Sequence, residues 1–142
     1  MKTLSEKFAE LSAETKLAEE RLAKAQTEGQ EWAERKREEI RTKVKEALER
    51  FAEEYETAPP EMKARFDEMR TKLRNRLEEA KEQGLGDGSR AKQLFVEKQI
   101  EARVAVRYAI AATRLAELFA IQAIAIRHLA EARGERTPEP TA

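Results

Sequence analysis

His128 is the single histidine of the chain, and it stands three positions before Glu131. A histidine and a carboxylate at that spacing share one face of a helix, which is how a pair of metal ligands can be arranged. Carboxylate-bridged di-iron sites in helical bundles need Glu-x-x-His from each of two helices, together with two further glutamates. Here the order is reversed and position 125 is alanine, so that motif is absent. His128 reads instead as a solvated histidine near a helix end, where a cation suits the negative terminus. The chain has no cysteine, which excludes thiolate metal sites, disulfides and cysteine nucleophiles. No glycine-rich phosphate loop follows a strand, and no nucleophile–base pair can be assigned. The expectation is a chain that is not an enzyme, with no catalytic residue, no cofactor and no metal.

Two basic runs are the next candidates. Arg35, Lys36, Arg37, Arg41, Lys43 and Lys45 form one, and Arg70, Lys72, Arg74 and Arg76 the other. Glu34, Glu38, Glu39 and Glu46 interleave the first, while Glu68, Glu78 and Glu79 bracket the second. Lys plus Arg and Asp plus Glu both number 28, so the chain lacks the basic excess that nucleic-acid binding usually needs. These runs read as solvated helix faces, and a nucleic-acid partner is not expected.

The elements that would carry such faces are helices. Charged residues make up 39% of the chain, against about 25% in ordinary globular proteins, and Ala, Glu, Lys, Leu and Arg dominate. Thr3-Leu4-Ser5-Glu6 has capping-box spacing, so a helix is expected to begin at once. Pro59 and Pro60 suit the first turn of a second helix. Gly84, Gly86 and Gly88 read as a cap and loop, with Ser89 or Asp87 as the next N-cap. Gly134 ends the last helix, and Pro138 and Pro140 mark a disordered tail over 134–142. Three helices follow, over about 4–57, 60–83 and 90–133. Gly29 is the one weak point in the first. A glycine costs about 1 kcal/mol inside a helix, which so long a segment tolerates, and the reading is a continuous or kinked helix with a break as the alternative.

The first segment carries a seam in three- and four-residue steps through Leu4, Phe8, Leu11, Ala18, Leu22, Ala25 and Trp32, with Thr15 and Gly29 filling the gaps, and it resumes at Ala33, Ile40, Val44, Ala47, Phe51 and Tyr55. The second continues with Met62, Phe66, Met69, Leu73, Leu77 and Ala80. Such seams face partner helices. Glu–Lys and Glu–Arg pairs at i, i+4, such as Glu39–Lys43 and Glu68–Lys72, add about 0.2–0.5 kcal/mol each.

The last segment differs in kind. Between Val104 and Ile126 its charged residues are Arg107, Arg114 and Glu117, and Leu118–Ile126 places bulky side chains around the whole circumference. A helix apolar all round must be buried on several sides or sit in lipid. Arg103, Arg107, Arg114, Glu117, His128 and Glu131 lie along one rough stripe, the route to water. Ala102, Ala109, Ala116, Ala123 and Ala130 recur every seven residues, with Ala105, Ala112, Phe119 and Ile126 between them. Small residues on a seam let two backbones approach closely. Alanine is also the best helix former, so part of this pattern is propensity. Crossing a bilayer would put Arg107, Arg114 and Glu117 near its centre at about 2.5–3.5 kcal/mol each.

At 1.5 Å per residue the three helices would span about 80, 36 and 66 Å. The short connections fold the second and third back along the first, so that 90–113 completes a bundle with 33–57 and 60–83. Residues 114–133 then project without an intramolecular partner, and a large exposed apolar surface marks an interaction site. The expected protein is an all-α, elongated, antiparallel three-helix bundle with coiled-coil character, a single domain over 1–133. It is expected to be a homo-oligomer, a dimer or tetramer, held by the alanine seam with Leu115, Leu118, Ile121 and Ile124. Its role is structural or scaffolding. A lipid-surface or hydrophobic-ligand binder, or a subunit of a hetero-complex using the same helix, is the alternative. The N-terminus turns charged at once and has no apolar leader region, so a cytoplasmic protein is expected.

Overall fold

In a computed structural model, which describes residues 2–82 and 88–137, the chain is all-α with four helices among those residues. They are α1 (Leu4–Ala25), α2 (Gln30–Glu54), α3 (Pro60–Glu82) and α4 (Ala91–Ala132). The three-helix bundle is therefore corrected: the first predicted helix is two. Gly29 takes an extended conformation, φ −86 and ψ −179, and serves as the N-cap of α2. Residues 26–28 close the end of α1, with Thr27 and Glu28 N–H both donating to the Lys24 carbonyl at 3.1 Å and the Thr27 hydroxyl adding a third bond to it. The flanking residues include no proline, yet residues 26–28 together offer the backbone this alternative set of bonds, so the break prevails over the continuous helix. No coiled-coil register between helices is established.

The other ends follow their local chemistry. Thr3 and Glu6 form the expected capping box, with Glu6 N–H donating to Thr3 Oγ1 at 3.1 Å and Thr3 N–H to Glu6 Oε2 at 2.9 Å. The proline turn is tied by Ala58 N–H to the Tyr55 carbonyl and by Met62 and Lys63 N–H to the Pro59 carbonyl. Gly134 adopts φ 75, and Glu135 N–H reaches the Ala130 carbonyl at 2.9 Å, which is a Schellman ending. Gly88, at φ 90, precedes α4. Gly84, Gly86, Asp87 and the last part of the predicted tail, 138–142, lie outside the described residues.

Two compact units divide the chain, one of Leu22–Ala91 and one of Met1–Arg21 with Lys92–Ala142. In the first, α2 and α3 pack as an antiparallel hairpin. Its centre is Leu48, 7% exposed and the one buried residue among those described. Beside the turn, Phe51, Tyr55 and Phe66 meet edge to face, with centroids 5.0–6.4 Å apart. Such aromatic contacts add about 0.5–1.5 kcal/mol beyond their area. Leu48 was not on the predicted α2 seam, which ran through Ile40, Val44 and Ala47. Those two bulky residues stay 40% and 37% exposed, because α3 sits to one side of a broad apolar stripe rather than over its middle. Met62, Met69 and Leu73 of α3 remain 44–51% exposed.

In the second unit, α1 and α4 contain no buried residue. The third helix of a water-soluble bundle would bury a stripe, and α4 buries none.

Candidate functional site

The candidate site is α4 itself. Its 42 residues form one unbroken helix because Ala, Leu, Gln, Glu and Arg keep propensity high, and no glycine or proline interrupts the segment. Thr113, the polar side chain in its middle third that could compete with the backbone, donates its hydroxyl to the Ala109 carbonyl at 2.8 Å and so stays inside the helix. Charge is confined to the ends and one stripe. Lys98 pairs with Glu101 at 3.0 Å, and Arg127 and His128 both approach Glu131, at 3.8 and 3.9 Å. Exposed pairs of this kind contribute at most about 1 kcal/mol.

Every residue expected at the association surface lies on this one helix, while the two basic runs lie on α2 and α3. Ala102, Ala105, Ala109, Ala112, Ala116 and Ala123 are exposed, and Ala130 is half-buried. Phe119 and Ile126 are 58% and 65% exposed, and Leu115, Leu118 and Ile121 are 48–59% exposed. Ile124 is half-buried. The helix therefore aligns the residues that were expected to associate. The sequence reading did not single out Phe95, Val96, Ile100, Ile110 and Leu129, which are 48–65% exposed as well, while Tyr108, an aromatic anchor in the lipid-surface alternative, is 71% exposed. The all-round apolarity of the segment was the signal for them, and attention to the alanine repeat drew it away.

A stretch of α4 has a mean hydropathy of 1.6 over 18 residues, long and apolar enough to cross a membrane, with none of it buried. Removing a half-exposed Leu or Ile from water is worth roughly 1 kcal/mol. Large apolar side chains in this number make the helix a candidate interaction surface.

The hairpin offers a second concavity, a groove of about 430 Å³ lined by Arg41, Thr42, Lys45, Leu48, Glu49, Arg74, Leu77 and Glu78. Cations and carboxylates alternate around it, so it concentrates neither sign. Near the turn, burial and the Asp67 carboxylate raise the Tyr55 phenol above its usual value. The Lys36 ammonium, hydrogen-bonded at 2.8 Å, holds the Glu39 carboxyl below its own. Glu39 thus turns to Lys36 rather than to Lys43, while Glu68 and Lys72 pair at 3.4 Å as expected. Among the described residues, no group of three or more histidines or carboxylates converges on a point where a metal could bind. No family model, curated protein or solved structure matches this chain significantly.

Proposed function

We propose that the protein is a non-enzymatic structural or scaffolding element that self-associates through α4. One observation carries this reading: the most apolar helix of the chain has no buried residue, and most of its bulky side chains stand about half exposed or more. A single chain leaves on the order of 1,000 Å² of apolar surface on that helix, at roughly 60–120 Å² per large side chain, comparable with the 800 Å² per partner of a standard interface. Association with other copies removes that surface from water without placing Arg114 or Glu117 in hydrocarbon. The stripe that bears those residues stays wet. A cytoplasmic setting fits this reading.

A lipid-surface role is the second reading, favoured by the span-length apolar stretch and by Arg103, Arg107 and Arg127 near its ends. Flotation with liposomes in the absence of detergent separates the two. Self-association predicts that the folded protein stays at the bottom of the gradient with neutral and anionic vesicles alike at physiological salt. Flotation with anionic vesicles and simultaneous loss of the oligomer would transfer the role of Phe119, Ile121, Ile124 and Ile126 to membrane contact.

A further inference from the structure

Resting on the reading that α4 associates with copies of itself, we propose that it does so through two different faces. The bulky face of one copy packs on the alanine face of the next, closing a ring of roughly four to six parallel helices.

The alanine face repeats in threes and fours from Ala102 to Ala130. A second row repeats in the same way through 104, 108, 111, 115, 118, 122, 125 and 129. Val104, Tyr108, Leu115, Leu118 and Leu129 are its large members, and they are 48–71% exposed. The two rows lie on the order of 100° apart around the helix. The histidine and every charged residue from Arg103 to Glu131 fall on the three heptad positions that neither row uses. Those positions centre opposite the line that bisects the two rows. A helix in a ring needs this layout, with one neighbour on each side and water behind. Val106, Ile110, Ile121 and Ile124 share the outer face with the charged residues, which leaves Ile121 and Ile124 outside this interface, and scattered apolar residues on a surface are ordinary.

A simple pair does not satisfy the helix. Two alanine faces brought together would remove Phe119, Ile126 and otherwise only methyl groups from water, and leave the five large side chains of the other row exposed. Only the two rows together approach the roughly 800 Å² per partner of a stable interface. Over 102–116, where the first row is alanine throughout, shape selects the partner: that shallow face accepts the protruding Val104, Tyr108 and Leu115 of a neighbour, while bulky against bulky or alanine against alanine leaves excess volume or gaps. An interface between unlike faces is heterologous. It closes into a ring when the angle allows, and about 100° is near the interior angle of a ring of four or five.

The chain has no cysteine, so introduced thiols report alone. Leu115 and Ala116 stand side by side in sequence, one on each row. Copies with Leu115→Cys, carrying an affinity tag, are coexpressed with untagged copies carrying Ala116→Cys, then oxidised and compared with each variant alone. The expected result is a tagged–untagged disulfide dimer in the mixed sample, little cross-link in either single sample, and a native mass of four to six chains. Equal cross-linking of Ala116→Cys with itself would show like faces meeting and overturn the proposal, as would a native mass of two chains. An assembly of four to six chains with no cross-link in any sample would overturn it too. A monomer would instead remove the self-association reading beneath it.

Discussion

The Tyr55 hydroxyl donates to Asp67 Oδ1 at 2.8 Å, joining the end of α2 to the second turn of α3 across the proline connection. This bond and burial both favour the neutral phenol, so Tyr55 ionises above the usual range near 10. A group whose folded value is raised stabilises the fold fully below its unfolded value, and that contribution is lost as pH rises through the folded one. Alkaline conditions, from about pH 10 upward, are therefore where the hairpin should loosen. With Tyr108→Phe removing the other tyrosine, ultraviolet titration should show the Tyr55 midpoint moving down in Asp67→Asn. An unmoved midpoint would mean the bond does not persist in solution.

Leu48 is the buried centre of the hairpin, and Leu48→Ala should cost about 2–3 kcal/mol, the low end for a leucine whose surroundings can partly collapse. Ile40→Ala, at a 40% exposed position, should cost clearly less. Urea denaturation followed by circular dichroism measures both. Equal losses would mean that the broad α2 stripe is covered in the middle, as the sequence seam implied, and not at its edge.

Gly29 separates two accounts of the N-terminal region. As an extended N-cap with open space around its missing Cβ, it should accept Gly29→Asp or Gly29→Ser with a gain of a few tenths of a kcal/mol. Gly29→Ala should bring no gain. If residues 4–54 formed one helix, the order would invert, with alanine stabilising by about 1 kcal/mol. Thermal melts of the three variants decide the matter.

Reading the sequence worked where the cause was local. Thr3 with Glu6, the paired prolines and Gly134 each act on backbone groups within a few residues, so their spacing was enough. The break at 26–29 was legible only as the alternative to a continuous helix, because no single residue forces it. Leu48 was missed because a stripe of apolar residues wider than one seam does not say which edge α3 will take. For α4 the alanine seam and Leu115, Leu118, Ile121 and Ile124 were legible from spacing and apolarity, while Phe95, Val96, Ile100, Ile110 and Leu129 were not picked out. Whether anything covers them was not legible, since the pattern of one helix does not say what packs on it.

The alanine face makes a graded prediction. Ala109→Leu and Ala116→Leu insert bulk where helices approach closely and should destabilise the assembly by about 1–3 kcal/mol. Ala33→Leu, on the exposed flank of α2, should be milder. Melting temperatures that match across all three would reduce the repeat to helix propensity.

The account rests on α4 being covered by other copies of the chain, and the mass of the purified protein in solution, without detergent and at micromolar concentration, tests that most directly. Light scattering coupled to size exclusion should give a stable multiple of the 16.3 kDa chain, unchanged on tenfold dilution. A soluble, monodisperse species at the mass of one chain would contradict it.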